Sequence, residues 1–245
     1  MRECGFYERE DRIRDGVESQ RSELCYTLLT DLIKASEGVR KKILDVGCGD
    51  GRFIVQFKEI CDVFGVDISQ VAVNKARHIA INAYKIDASS EKLPFDDSFF
   101  DIVYIGDVIE HLVDPDFALE EIRRVLRPEG TLCLSTPNLA SWYNRILLFL
   151  GIQPIFTEVS SEYILGRKLT LLGQHSKPVG HLRLFTLSSL RDLLELHEYN
   201  ITSVYGAANY YVEKKSVIMR LAEHIFSHAP SLASIMIAVA NPKKR

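Results

Sequence analysis

The sequence has no long hydrophobic run: the apolar stretch 146–150 is far too short for the roughly 20 residues a membrane helix needs. No transmembrane segment is expected. It also lacks an excess of positive charge, with 30 Lys and Arg against 33 Asp and Glu and a formal charge of -3, so no global basic field exists to hold nucleic acid. A nucleic-acid partner is not expected. Cysteine is sparse and scattered: Cys4, Cys25, Cys48, Cys61 and Cys133 form no CxxC pair and have no histidine at zinc-finger spacing. Neither a disulfide framework nor a bound metal is implied. The opening residues, MRECGFYEREDRIRDG, are too charged for a secretory signal, and a cytoplasmic address is expected. No repeat or low-complexity tract is visible.

What is present fits a folded enzyme-sized domain. The 245 residues are 47% hydrophobic and 26% charged, which is the composition of a globular chain of one large domain or one domain with a small cap. Residues 21–35 carry Leu24, Leu28 and Leu32 at helical spacing, marking residues 1–40 as an N-terminal helical segment ahead of a domain at 41–245. Strands are then expected at 42–47, 63–68, 81–86, 101–106 and 131–135, with helices at 51–58, 69–79 and from Asp114-Pro115 onward. Asp114 suits the N-cap and Pro115 the first helical position, and Glu120 and Arg124 are spaced to pair four apart. Five strands alternating with helices give an α/β fold with a parallel sheet covered on both faces. The alternation breaks after Pro137-Asn138, so 139–179 reads as an insertion with an apolar helix at 142–150. A helix capped by Thr186, a strand at 201–205, a helix at 216–226 and a strand at 234–240 follow.

Chemistry concentrates at strand ends. In Leu44-Asp-Val-Gly-Cys-Gly-Asp-Gly51 a strand runs into three glycines spaced by single residues. Glycines let the main chain adopt positive φ and approach a ligand closely, and a following helix start offers N–H groups to an anion. A nicotinamide site would require GxGxxG, and the third glycine here is displaced by one, with Arg52 in its place. Asp67 stands 20 residues after Gly47, where a strand-end carboxylate can accept bonds from ribose hydroxyls. The plainer reading is a cap for the next helix, a task Ser69 can also perform. Asp87-Ala88 ends the third strand, where a carboxylate can take an adenine amino hydrogen or simply shape a turn.

Together these residues resemble the class I S-adenosylmethionine-dependent methyltransferases, especially the small-molecule, type 11-like group that includes ubiquinone- and menaquinone-pathway enzymes. The likeness covers about 42–138 and includes Leu93-Pro-Phe-Asp-Asp-Ser-Phe-Phe-Asp-Ile-Val103 and Leu126-Arg-Pro-Glu-Gly-Thr-Leu132. It implies a Rossmann-like, doubly wound, seven-stranded sheet, mostly parallel with an antiparallel last strand. It implies S-adenosylmethionine as cofactor, S-adenosylhomocysteine as product and a small-molecule acceptor. Asp45, Gly47, Cys48 and Gly49 would then cradle the methionine part, Asp67 hold the ribose, Ile68 pack on the adenine beside Asp87 and Ala88, and Asp107 and Val108 complete the cofactor site.

The acceptor side is less specified. Asp107-Val-Ile-Glu-His111 follows the fourth strand, and in similar enzymes this segment lies beside the transferred methyl. His111 is the candidate base, because imidazole titrates near neutrality; orienting the loop through Glu110 or Asp114 is the alternative. In Gly180-His-Leu-Arg-Leu-Phe-Thr186, His181 and Arg183 share a face if the segment is extended; they either contact the acceptor or anchor the insertion. Trp142, Tyr143 and residues 146–150 form an apolar face that closes over the site, packs in the core or joins two subunits, so both monomer and homodimer remain open. A non-catalytic S-adenosylmethionine-binding regulator is the rival function.

Overall fold

The computed structural model describes residues 19–35, 40–166, 178–209 and 216–243. Residues 167–177 of the insertion, His175 among them, lie outside these ranges, as does most of the N-terminal segment. Helix α1 (Gln20–Lys34) starts where the Ser19 hydroxyl accepts from Ser22 N at 3.3 Å, and it buries Cys25, Leu29 and Ile33. These three share a core with Ile43, Phe57, Ile102, Tyr104 and Cys133. A four-residue spacing puts them on one stripe, which explains why this helix lies down on the sheet.

The sheet has the order β3-β2-β1-β4-β5-β7-β6. Its strands are β1 (Lys41–Val46), β2 (Cys61–Asp67), β3 (Asn82–Lys85), β4 (Phe100–Gly106), β5 (Leu126–Pro137), β6 (Tyr199–Ala207) and β7 (Ile235–Pro242). β1 to β5 pair in parallel, and β7 lies antiparallel between β5 and β6, giving the seven-stranded Rossmann-like arrangement. One face packs on α3 (Pro115–Val125) and α5 (Leu187–Leu196), the other on α1, α2 (Gln70–His78) and the chain around Phe57. Central strands covered on both faces carry continuous apolar residues, as β4 does from Ile102 to Ile105. Strand order reverses between β1 and β4, and the crevice at their carboxyl ends is where such sheets bind ligands.

Two local expectations fail for physical reasons. No α-helix forms at 51–58; Ile54–Phe57 is a four-residue 3-10 turn that buries Ile54 and Phe57. Ile54 and Phe57 stand three residues apart and both turn into the core, the spacing of a three-residue turn. The glycine turn therefore has no helix end behind it. In α3, capped by Asp114 Oδ1 accepting from Phe117 N at 2.9 Å, Arg124 does not pair with Glu120. It binds Glu121 at 2.8 Å and donates to the carbonyls of Phe95 and Leu93, while Leu93 N donates to Glu121 at 3.0 Å. Glu121 faces that loop and so gains a second donor, which the outward Glu120 lacks.

The insertion begins with α4 (Trp142–Phe149). Trp142 stacks on Phe226 at 5.3 Å and donates to Glu223 at 2.7 Å, joining α4 to α6 (Val217–Ser227). Tyr143, Leu147 and Ile155 form a small cluster, while Ile146, Leu148, Phe149 and Leu150 are exposed. The apolar run thus divides between packing and surface. Among the described residues, no helix is long and apolar enough to cross a membrane.

Candidate active site

The glycine turn sits at the carboxyl end of β1. Gly47 N and Cys48 N both donate to Val66 O, at 2.8 and 3.0 Å, and Gly47, Gly49 and Gly51 have φ of +77°, +55° and +80°. A Cβ on Gly47 would stand 2.3 Å from Val108 Cγ2, and one on Gly51 would stand 2.2 Å from Ile81 Cδ1. These two glycines are required by packing. A Cβ on Gly49 would meet no described heavy atom within 4 Å. Gly49 therefore presents bare main chain to open space at the sheet's switch point.

Asp67, at the end of β2, supports that turn. Gly49 N donates to its Oδ2 at 2.8 Å and Ser69 N to its Oδ1 at 2.8 Å. Ser69 caps the next helix itself, accepting from Ala72 N at 3.2 Å, so helix capping is not Asp67's task. Each carboxylate oxygen can accept more than one bond, and the geometry is compatible with a ribose diol. Ile68 beside it is half-buried. The Cys48 thiol is pushed up by burial and then by the charges of Asp45 and Asp67; it is an inert filler against Gly65.

Asp45 lies buried one residue before the end of β1. Burial, then the charge of Asp67, holds its carboxyl well above the usual range, and Arg21 opposes them. Arg21 comes from α1: its Nε is 3.3 Å from Asp107 Oδ2, and its Nη1 donates to Tyr104 Oη at 3.0 Å. Asp107 has φ +54°, a conformation that costs energy outside glycine and clusters at functional sites. Arg21 and the Ser135 hydroxyl, which donates to Asp107 Oδ1 at 3.0 Å, hold it there. Val108 follows, its methyls closed against Gly47.

A second group gathers at the short 3-10 turn Ile109–His111. Glu110 is fully buried, and the Thr136 hydroxyl donates to its Oε2 at 3.0 Å. His111 Nδ1 lies 2.9 Å from Gly180 O, and His181 Nδ1 lies 2.9 Å from Phe156 O. The two rings are 4.8 Å apart, and His181 Nε2 is 4.0 Å from Glu110 Oε1. Glu158 fixes the returning chain by accepting from the N–H groups of Val179, Gly180 and His181 at 2.7, 2.8 and 3.1 Å.

The fold thus brings Asp45, Gly47, Cys48, Gly49, Asp67, Asp107 and Val108 together at the carboxyl ends of β1, β2 and β4, and His111 into contact with His181 just after β4. Three expected residues have other partners. Asp87 accepts from Ser89 N and the Ser90 hydroxyl at 2.9 and 3.0 Å, shaping its own turn, and Ala88 packs against the core. Arg183 donates to the carbonyl of Leu112 and, at 2.8 Å, to that of Val113, which is the anchoring role. Sequence reasoning missed Arg21, Thr136, Ser135 and Glu158, and saw Glu110 only as a partner orienting the His111 loop. Glu110 was signalled by its place beside His111; the others reach the site from distant segments with no local motif.

Residues 44–134 match the family model described as "Methyltransferase domain". An uncharacterized methyltransferase of Schizosaccharomyces pombe is 36% identical over 133 residues, covering 49% of this chain and 46% of that protein. The 27-O-demethylrifamycin SV methyltransferase of Amycolatopsis mediterranei is 32% identical over 130 residues, covering 48% and 47%. The chain therefore spans about half the length of the curated relatives it matches. A crystal structure of a Pyrococcus horikoshii protein superposes with a TM-score of 0.60 at 22% identity, covering 98% of this chain and 99% of that one, a likeness of fold. With the glycine turn, the acidic tip of β2 and the seven-stranded order already in place, residues 44–134 are similar to a methyltransferase domain, and the chain shares the fold of that Pyrococcus horikoshii structure.

Proposed function

We propose that the chain binds S-adenosylmethionine in the crevice between β1 and β4 and transfers its methyl group to a small-molecule acceptor. The observation that carries this is Gly49: positive φ, open space where a side chain would be, and its N–H tied to the Asp67 carboxylate. Such a cradle fits a nucleoside whose sugar meets an acid while its amino-acid part lies along bare main chain. Bound there, the cofactor supplies a methyl group already activated by a sulfonium.

The chain's own residues then bind, orient and exclude water. Asp67 takes the ribose hydroxyls while steadying the turn. Asp45, whose burial and acidic neighbour disfavour its charged form, is stabilised as a carboxylate when a cationic ligand group arrives. Asp107, held by Arg21 and Ser135, closes the crevice on the β4 side. His111 and His181 face the acceptor, and His111 is the group placed to receive its proton. Most of the rate comes from alignment of the two reactants, so the acceptor pocket sets specificity. The relative named as a 27-O-demethylrifamycin SV methyltransferase supports a small-molecule acceptor, and the buried thiols of Cys25, Cys48, Cys61 and Cys133 suit a reducing cytoplasm.

Methyl-labelled cofactor incubated with the chain and a fractionated metabolite extract tests this. Label moving into a small molecule, with stoichiometric S-adenosylhomocysteine, is expected. Tight cofactor binding with no turnover in any fraction would instead favour a regulatory subunit.

A further inference from the structure

We propose that Glu110, His111 and His181 hold a divalent transition-metal cation on the acceptor side of the crevice. The site itself follows from side-chain placement; its consequence for the acceptor rests on the methyl-transfer reading. One ligand atom from each residue lies within 4.8 Å of the other two. Neither sequence spacing nor motif announces the set, because His181 is 70 residues beyond His111 in the chain and arrives on the segment returning from the insertion.

The surrounding bonds select the ligand form of both imidazoles. A carbonyl oxygen can only accept, so Gly180 O and Phe156 O, each 2.9 Å from a histidine Nδ1, require those nitrogens to carry the hydrogen. Nε2 then bears the lone pair in both neutral rings. Donation of one ring N–H to a fixed carbonyl while the other nitrogen binds is the usual outer support of a metal-ligating histidine. Glu110 is supported in the same way, with Thr136 Oγ1 holding Oε2.

Distances and burial agree. Glu110 Oε1 and His181 Nε2 are 4.0 Å apart, beyond hydrogen-bond length, yet close to the span of two metal–ligand bonds of about 2.0–2.2 Å each. An approach of about 0.6 Å by either side chain brings the pair to the separation of a tetrahedral ligand angle. Glu110 is fully buried and the His181 side chain is 2% exposed, so a cation bound between them would be held away from water. The two chain segments are pinned together: Leu182 N and Arg183 N both donate to Glu110 O, at 2.9 and 3.1 Å. Glu158 clamps the residues just before.

Two nitrogens and one carboxylate oxygen suit Zn²⁺, Co²⁺, Fe²⁺ or Mn²⁺ better than Mg²⁺ or Ca²⁺, which prefer oxygen shells. Three protein ligands leave positions open, as in catalytic rather than structural metal sites. An acceptor oxygen in such a position would be oriented and polarised by the cation. The acceptor class is then a hydroxyl-bearing molecule: its O–H proton passes to water as the O–CH3 bond forms and the sulfonium S–CH3 bond breaks, so that in the metal-loaded chain His111 is a ligand and solvent takes over the role of base proposed for it above.

The test uses the full chain stripped with a chelator and titrated with Co²⁺ and Mn²⁺, with Mg²⁺ as control. One equivalent of Co²⁺ should bind with visible ligand-field absorption, and His111→Gln and His181→Gln should each weaken uptake at least 100-fold. Absence of stoichiometric uptake, or uptake unchanged in both variants, overturns the proposal. Should either variant fail to fold, pulsed EPR of Mn²⁺ on the unaltered chain decides: couplings to two imidazole nitrogens are required, and a spectrum without them refutes the site. Cofactor affinity of the stripped protein, read by calorimetry, is expected to stay within about threefold of the metal-loaded value. Cofactor binding without metal uptake rejects the cation alone, whereas metal uptake without cofactor binding rejects the methyl-transfer reading alone.

Discussion

Gly47→Ala and Gly49→Ala should separate folding from binding, although the two glycines are two residues apart. Both positions have positive φ, at +77° and +55°, so alanine at either costs about 1–2 kcal/mol of backbone strain. At Gly47 the new methyl would also lie 2.3 Å from Val108 Cγ2, adding about 1–3 kcal/mol of overpacking. Gly47→Ala should therefore lose about 2–5 kcal/mol, and Val108→Ala in the same chain should return part of that, with a coupling of about 1 kcal/mol or more. At Gly49 nothing described lies within 4 Å, so the folded chain loses only the strain, a fall of roughly 2–8 °C in melting temperature for a protein of this size. The added methyl occupies the proposed cofactor space instead. An overpacking cost of about 1–3 kcal/mol there weakens S-adenosylmethionine binding roughly 5- to 150-fold. Thermal denaturation and calorimetric titration of the same samples read the two quantities. Wild-type cofactor affinity in Gly49→Ala would refute the cradle, whatever its stability.

Arg21→Met should destabilise the chain by about 2–4 kcal/mol, because it strands the mostly buried Asp107 without its cation; urea titration measures it, and a change below about 0.5 kcal/mol would show that α1 does not brace the site. Asp45 has a folded pKa raised above its unfolded value, so the folded chain binds that proton more tightly. The associated stability is full below about pH 4 and declines as pH climbs toward the folded pKa. Asp45→Asn should remove this decline in melting-temperature profiles while weakening cofactor binding; an unchanged profile contradicts the assignment. Glu121 has the opposite sign. Its hydrogen bonds with Arg124, then with Leu93 N, hold its carboxyl below the usual range. Its stabilisation is present above the unfolded pKa and lost as pH falls through the folded one. Glu121→Gln should cost about 1–3 kcal/mol near neutrality and little in acid, and equal losses at both pH values would reject the role.

What could be read before folding was whatever a local rule encodes. The strand into Gly47, the Asp114-Pro115 helix start and the acid at the tip of β2 each follow from a few adjacent residues, and the structure has them at the expected places. The helix expected at 51–58 is instead a 3-10 turn, because the residues it buries, Ile54 and Phe57, stand three apart. Arg124 chose Glu121 over Glu120 because a loop 30 residues upstream supplied an extra N–H. The acceptor side was least legible: Glu110, His111 and His181 become one cluster only when the segment after the insertion pairs with the turn after β4. Arg183 looked like a ligand by its chemistry, yet two main-chain carbonyls claim its guanidinium. No periodicity anticipates that contact, since it depends on long-range chain return.

The most direct measurement is a crystal structure of the chain grown with S-adenosylhomocysteine. The predicted result is the nucleoside between β1 and β4, its ribose hydroxyls within hydrogen-bond reach of Asp67 and its amino-acid part along Gly49. Density for the ligand elsewhere, or a crevice into which it does not enter at saturating concentration, would contradict the central claim.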